Sequence, residues 1–94
     1  GEIEDCLLKH PSIALAAAVG KPDPLRTEIV KAFIVLKPGT EKSAALENDI
    51  RTFVRERLSA HEYPREIEFV TSLPMTTTGK IIRRKLRDLE SVEG

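Results

Sequence analysis

Residues 76–80, Thr-Thr-Thr-Gly-Lys, combine residue types that bind anions. Gly79 lets the backbone come close to a ligand, and the hydroxyls and the Lys80 ammonium suit an anion held at a helix N-terminus. A phosphate-binding P-loop is excluded, because Pro74 stands where that motif has its first glycine and Ile81 where it has Ser or Thr. Local chemistry alone favours a simpler interpretation, an ordinary polar turn with an exposed lysine.

The segment that follows this turn is strongly basic. Five cations fall within eight residues: Lys80, Arg83, Arg84, Lys85 and Arg87. Such a run is usually a solvated helix face. Nucleic-acid binding is disfavoured, because no aromatic side chains are interleaved to stack on bases and because fifteen basic and fifteen acidic residues leave no net charge. The pattern fits contact with the phosphate of a smaller ligand better.

The other residues that could do chemistry do not form a site. His10 and His61 lie far apart without a second His or a Cys at metal-ligand spacing, so we expect surface or capping roles and no bound metal. Cys6 is the single cysteine, which excludes an intramolecular disulfide, and its apolar helix face predicts a buried thiol. We therefore expect no self-contained active site.

Length and composition predict one small domain with an aliphatic core. The chain has 94 residues, of which 40% are hydrophobic and only 4% aromatic, enough for a single core. The longest apolar run, residues 13–19, is too short to cross a bilayer, and no signal peptide is visible, which predicts a cytoplasmic protein. Because the chain opens at Gly1 in the first turn of a helix, we interpret residues 1–94 as one domain of a longer protein.

The predicted order of elements is helix, strand, strand, helix, strand, helix. Their ranges are 2–10, 13–19, 28–36, a helix capped by Ser43 that runs to about Ser59, 67–70, and a last helix from about Lys80. Residues 20–24 are expected to be a loop, because two prolines and a glycine interrupt them. The first two strands are too closely connected for a parallel crossover. This predicts an α+β fold with a small, mainly antiparallel sheet of about three strands covered by helices.

Five segments form an ordered set that covers nearly the whole chain: residues 2–11, 17–23, 63–65, 67–70 and 73–87. Together they resemble the C-terminal domain of the AMP-forming acyl-CoA synthetases, members of the adenylate-forming superfamily with luciferases and nonribosomal adenylation domains. Residues 23–26, 30–33 and 62–69 are most similar to acetyl- and medium-chain acyl-CoA synthetases.

The resemblance implies a reaction in two steps. A carboxylic acid and ATP, with Mg²⁺, first give an acyl adenylate and pyrophosphate, and the thiol of CoA then displaces AMP. A large N-terminal domain, which is absent from this chain, would hold most of the nucleotide site and the acyl pocket. This chain would be a mobile lid that rotates between the steps, inactive by itself and binding no cofactor tightly.

The motif match makes Lys80 the adenylation lysine and leaves Gly79 to give it room. An ammonium on a flexible stem can reach the acid and the α-phosphate and stabilise the charge that develops there. The segment 74–80 also resembles the site where family members are switched off by lysine acetylation.

The resemblance assigns the other face of the domain to CoA. Arg26 and Arg55 match basic positions that medium-chain relatives use for its phosphates, and Tyr63 matches a position near its nucleotide. Each also fits an exposed residue without a ligand. Glu62 departs from the pattern, because relatives often have Lys there, and it removes a positive charge beside this site.

Two alternatives to the ligase lid remain open. One is the C-terminal domain of a nonribosomal peptide synthetase-type adenylation unit, whose acceptor is a carrier-protein arm. The other is a stand-alone phosphate-binding module. Neither a nucleic acid nor a membrane span is expected in any of these three hypotheses.

Overall fold

A three-stranded mixed sheet forms the centre of the computed structural model, which describes residues 2–23, 25, 27–58 and 63–86. The elements in chain order are α1 (Glu2–Leu8), β1 (Ile13–Asp23), β2 (Thr27–Leu36), α2 (Ala44–Arg57) and β3 (Glu66–Phe69). A further helical turn covers residues 83–86. The predicted element order and α+β class are confirmed. The last helix begins at residue 83 rather than at about Lys80, and its expected continuation beyond residue 86 lies outside the described residues.

The sheet has the strand order β1-β2-β3. β1 pairs antiparallel with β2, from Leu15 opposite Val35 to Asp23 opposite Thr27. β2 pairs parallel with the short β3, which is possible because α2 forms the long crossover connection that a parallel pair needs. The sheet is therefore mainly antiparallel, as predicted, with one parallel pair that the sequence did not specify.

β1 is longer than predicted, and the expected loop at residues 20–24 is wrong for residues 20–23, which continue the strand opposite β2. The Ala18 N–H donates to a side chain outside the sheet, so Ala18 directs its backbone groups to the free edge of β1. Backbone direction alternates along a strand, and Pro22, four residues on, faces the same way. Its missing N–H therefore removes no bond to β2, which is the condition under which strands tolerate proline.

We call the face of the sheet that α1 and α2 cover the helix side. Its buried core contains residues from both helices, β1 and β2: Cys6, Leu7, Ile13, Ala16, Ala32, Ile34, Ile50 and Val54. The predicted capping of α2 is confirmed, because the Ser43 Oγ accepts a hydrogen bond of 3.0 Å from the Leu46 N–H. The predicted burial of Cys6 is confirmed as well.

The opposite face of the sheet, the loop side, is covered by residues 70–86. Leu73 and Leu86 pack there with Phe33 and with Ala17 and Val19 of β1. Along β2 the side chains alternate between the two sides, as the pleat requires. The segment that contains Lys80 is thereby attached to the sheet by apolar packing on both of its flanks.

His10 is buried between the helices, so the expectation of a surface residue is wrong, whereas the alternative expectation of a capping role is confirmed by its bond to a backbone N–H. Its Nδ1 accepts from the Ser12 N–H at 3.1 Å, so the proton sits on Nε2, which lies 2.7 Å from the Asp49 Oδ2. The ring also meets Phe53 edge-on, with centroids 5.0 Å apart. His10 therefore links the end of α1 to α2, whereas His61 lies outside the described residues. None of the helices in the described ranges is long and apolar enough to cross a membrane.

Candidate functional site

Lys80 lies on a tight loop, residues 74–82, which we call the Lys80 loop. Its two limbs pair through an antiparallel bridge between Met75 and Ile81. The Ile82 N–H donates to the Pro74 carbonyl at 2.8 Å, and the Thr76 N–H donates to the Lys80 carbonyl at 2.8 Å. These main-chain bonds fix the position of the Lys80 Cα relative to the rest of the loop.

The tip of the Lys80 loop is closed by Thr76 and Gly79. The Gly79 N–H donates to the Thr76 carbonyl at 3.0 Å, and the Thr76 Oγ1 accepts from the Lys80 N–H at 3.1 Å. Gly79 has φ +86°, the left-handed region that residues with a Cβ rarely adopt. A Cβ built on Gly79 meets no atom within 4 Å. The backbone conformation therefore requires the glycine. Crowding does not, because no atom of the described residues lies close to the position of its missing Cβ.

The Lys80 side chain is exposed, and among the described residues its ammonium has no hydrogen bond or ion pair. The loop thus combines a hydrogen-bonded backbone with an exposed, positively charged tip. This arrangement suits an ammonium that must reach a ligand outside the chain, because the long side chain spans the gap while the backbone sets its origin.

Arg83, one residue beyond the Lys80 loop, is bound by Glu4 of α1. The Arg83 Nε lies 2.9 Å from the Glu4 Oε2, and its Nη2 forms a second close contact with Oε1. The Ala18 N–H donates to the same Oε2 at 2.7 Å. Burial raises the pKa of the Glu4 carboxyl, but the bonds from Arg83 and Ala18 outweigh burial and lower the pKa overall. The same pairing raises the pKa of Arg83.

A second group of candidate residues surrounds Tyr63 on the helix side. The half-buried Tyr63 packs against the core of that side. The guanidinium carbon of Arg55 lies 5.2 Å from its ring centroid, and that of Arg65 lies 5.3 Å from it. Both distances fall within the range of cation–π attraction. We call these three residues the Tyr63 cluster, and it places two exposed cations around one aromatic ring.

The structure keeps the two groups of candidate residues on opposite faces of the sheet. Ile81, next to Lys80, packs on the core of the loop side. Tyr63 packs on the core of the helix side, and Arg55 projects from α2, which covers that side. The sequence-predicted residues are thus divided: Gly79 and Lys80 on one face, Arg55 and Tyr63 on the other.

Some site residues were missed or lie outside the description. Arg26 and Glu62 belong to the residues whose structure is not described, so their predicted relation to CoA is not tested. Arg65 was missed, although it stands in the Tyr-Pro-Arg motif that carried the resemblance. Arg83 was interpreted as part of a solvated basic face, and its pairing with Glu4 gave no sequence signal, because 79 positions separate the two residues.

Within the described residues, no group of three or more His, Cys, Asp or Glu side chains is arranged to hold a metal ion. The two faces present cations and hydroxyls: the Lys80 ammonium and the threonines of the Lys80 loop on one face, and the guanidinium groups of the Tyr63 cluster on the other.

Comparison with known proteins places this geometry in context. A model of the AMP-binding enzyme C-terminal domain matches residues 2–80. Acetyl-coenzyme A synthetase from Bacillus subtilis (strain 168) is 54% identical over 89 residues, which are 95% of this chain and 16% of that protein. A mitochondrial acyl-coenzyme A synthetase from Homo sapiens, ACSM1, is 45% identical over 92 residues, 96% of this chain and 16% of that protein.

A solved structure agrees with these sequence relatives. The crystal structure of Brucella canis acyl-CoA synthetase superposes with a TM-score of 0.95 and 51% sequence identity, covering 98% of this chain and 17% of that protein. The chain therefore spans about one sixth of the length of the proteins it matches.

Proposed function

The chain belongs to the AMP-binding enzyme C-terminal domain family, and on that premise we propose that it is the mobile C-terminal domain of an AMP-forming acyl-CoA ligase. The full-length enzyme would convert a carboxylic acid, ATP and CoA to acyl-CoA, AMP and pyrophosphate. The observation that carries the proposal is the exposed Lys80 on a rigid glycine loop, in a chain 54% identical to an acetyl-coenzyme A synthetase over 95% of its length.

Lys80 serves the first step in this proposal. Attack of the carboxylate on the α-phosphorus of ATP joins two negatively charged groups and expels pyrophosphate. An ammonium between the acid and the α-phosphate lowers the barrier by offsetting the charge that builds up in the transition state. The backbone bonds of the Lys80 loop support this role, since they set the position of the lysine Cα within the loop before the substrates arrive.

The Tyr63 cluster serves the second step, in which the CoA thiol attacks the acyl carbonyl and AMP leaves. CoA carries a 3′-phosphate and a pyrophosphate, for which guanidinium groups are well suited because each presents several N–H donors. Arg55 and Arg65 are exposed cations held near the ring of Tyr63 and would bind these phosphates. Arg26 is added to them from the sequence. Tyr63 itself offers a ring on which the CoA nucleotide can stack.

The position of the two groups on opposite faces supports a change of orientation between the steps. One rigid domain cannot direct both faces at a single reaction centre at the same time. Rotation of the domain against its partner, the N-terminal domain of the same enzyme, would bring Lys80 in for adenylation and the Tyr63 cluster in for thioester formation. Residues 1–94 then act as one lid domain.

Mg²⁺ would enter with ATP, and the described part of this chain offers no cluster of ligands for it. The nucleotide, the metal ion and the carboxylic acid would therefore be held chiefly by the N-terminal domain. A cytoplasmic location stays a prediction. The acyl pocket would lie in the N-terminal domain, so that domain would select the acyl group.

The proposal is tested in the full-length enzyme by separating its two half-reactions. Pyrophosphate release reports adenylation, and thioester formation from a supplied acyl adenylate reports the second step. Acceptance of free CoA supports the ligase, whereas transfer only to a carrier-protein arm would support the peptide synthetase alternative. The absence of both activities would leave a phosphate-binding module as the interpretation.

A further inference from the structure

From the ion pair between Glu4 and Arg83 we infer a positioning device for Lys80: the pair holds the C-terminal limb of the Lys80 loop against α1 and β1. This inference rests on the proposed function, because it assigns the pair a role in adenylation. Glu4 and Arg83 are positioning residues, since neither would touch the substrates.

Arg83 is connected directly to the C-terminal limb of the Lys80 loop. Arg83 begins the helical turn at residues 83–86 directly after Ile82, which closes the Lys80 loop through its bond to Pro74. Only Ile81 and Ile82 separate Arg83 from Lys80, so a displacement of the Arg83 backbone is passed to Lys80 within three peptide units.

The Glu4 carboxylate is held in place by more than its pairing with Arg83. Glu4 lies on α1 with its side chain largely buried, and its Oε2 also accepts the Ala18 N–H at 2.7 Å. The carboxylate therefore has one fixed partner in β1 and a second, two-pronged partner in Arg83. A charged, bidentate pair of this kind is directional, because both guanidinium N–H groups must face both carboxylate oxygens.

The Lys80 loop is attached to the rest of the domain by two kinds of contact. Leu73 and Ile81 attach the Lys80 loop to the sheet by apolar packing, which is not directional and permits sliding. The Glu4–Arg83 pair supplies the directional contact on the C-terminal limb. Without it, Lys80 keeps its charge and its exposure but loses a defined origin, and a misplacement of about 1 Å can reduce a rate by about a hundredfold.

The test uses the full-length enzyme with Glu4→Gln, Arg83→Gln, Arg83→Lys and the double variant Glu4→Gln/Arg83→Gln. Arg84→Gln is the matched control, because Arg84 is the neighbouring exposed arginine of the same helical turn. Both half-reactions are measured, together with hydrogen exchange of residues 74–82 by mass spectrometry and the thermal unfolding temperature of each variant.

We expect Glu4→Gln and Arg83→Gln each to slow adenylation by about tenfold to a hundredfold. Thioester formation from supplied adenylate and the KM for CoA should stay within about twofold of wild type, as should both steps in Arg84→Gln. The double variant should be no slower than the worse single variant, because both remove one contact. Arg83→Lys should recover part of the lost rate, and exchange in residues 74–82 should rise wherever the rate falls.

Three results would overturn the inference. Equal loss in both half-reactions, additive loss in the double variant, or unchanged adenylation would each show that the pair does not position Lys80. If Glu4→Gln and Arg83→Gln fail to fold, Arg83→Lys tests the inference in their place. It retains the positive charge and should still lose part of the adenylation rate while keeping thioester formation. Wild-type and Lys80→Ala enzymes assayed in parallel separate the levels. A wild type that does not adenylate removes the proposed function, and a Lys80→Ala enzyme that adenylates normally removes the role of Lys80. If only the pair variants adenylate normally, the inference alone fails.

Discussion

The two faces of the sheet carry cations in different ways. On the loop side, one ammonium projects from a backbone held by main-chain hydrogen bonds, by a left-handed glycine and by the Glu4–Arg83 pair. On the helix side, two exposed guanidinium groups surround a half-buried ring, and side chains set their positions. Charge that acts on a reacting centre needs a fixed origin, whereas charge that holds a phosphate can be shared among groups. We therefore expect single changes to be decisive on the loop side and partial on the helix side.

Neither face of the sheet is expected to support catalysis in the isolated chain. The isolated 94-residue chain should form no thioester and bind ATP weakly, because it supplies one lysine and a loop but no nucleotide pocket. Incubation with ATP, Mg²⁺, CoA and a panel of short and medium-chain acids, followed by chromatography for acyl-CoA, checks this. Catalytic thioester formation by the chain alone would contradict the division of labour between two domains.

Removal of the Lys80 ammonium should have the largest effect of any single substitution. In the full-length enzyme, Lys80→Ala should reduce adenylation by about 10²–10³-fold, since one preorganised charge partner of the transition state is lost. Thioester formation from supplied adenylate should be largely spared. Lys85→Ala, at an exposed lysine five positions on, is the matched control.

Acetylation of Lys80 sharpens the same test, because it neutralises the ammonium and leaves the backbone in place. The acetylated enzyme should lose the first step selectively, as Lys80→Ala does. Equal loss in both steps would point to a general defect of the lid, and an unaffected first step would remove Lys80 from the mechanism.

Changes in the helix-side cations should have smaller effects, confined to CoA. Arg55→Ala, Arg65→Ala or Arg26→Ala should raise the KM for CoA and leave adenylation nearly intact, each losing one charge-assisted contact worth about 1.5–3 kcal/mol. Steady-state kinetics with CoA varied, beside pyrophosphate release, measures both. If one of these changes abolished pyrophosphate release and spared CoA use, the assignment of the two faces would be reversed.

Gly79→Ala isolates the role of the loop backbone. The left-handed conformation should disfavour alanine by about 1–2 kcal/mol, and the loop should relax by moving Lys80, which slows adenylation. Gly39 is a matched control, because it has φ +85° in the turn after β2 and the same open space around its missing Cβ. Gly39→Ala should lose similar stability in denaturant unfolding and keep its adenylation rate. If Gly79→Ala and Gly39→Ala adenylated at the same rate, the backbone of the Lys80 loop would not be positioning Lys80.

The smallest effect concerns pH and the Glu4 carboxyl. Its pKa is lowered in the folded chain from an ordinary value of 4.5, so its contribution to stability is complete above that value and is lost as the pH falls through the lowered pKa. Glu4→Gln should reduce the free energy of unfolding at neutral pH by about 1 kcal/mol, a modest figure because Arg83 is partly exposed to solvent. Urea unfolding of the wild type and of Glu4→Gln should give free energies of unfolding that converge as the pH falls. A difference between the two free energies that grows in acid would be inconsistent with this pairing.

The features that sequence predicted well are those encoded locally. Ser43 and the apolar stripe of α2 lie within one helix, so spacing alone identified both. The continuation of β1 through Pro22 depends on which edge of the sheet its backbone faces, and the parallel pairing of β3 depends on a partner more than thirty positions away. The Lys80 loop was identified by its residues, whereas the contacts that hold it in place come from Glu4, at the other end of the chain.

The edge of β1 has a consequence for the behaviour of the chain at high concentration. An open sheet exposes rows of unpaired backbone donors and acceptors that can template a strand of another molecule and start aggregation. Along the outer edge of β1, the Ala18 donor is already occupied by Glu4 and the Pro22 position has no donor at all. The opposite edge strand, β3, has only four residues, two of them glutamates. The carboxylate that binds Arg83 thus also caps the sheet against self-association.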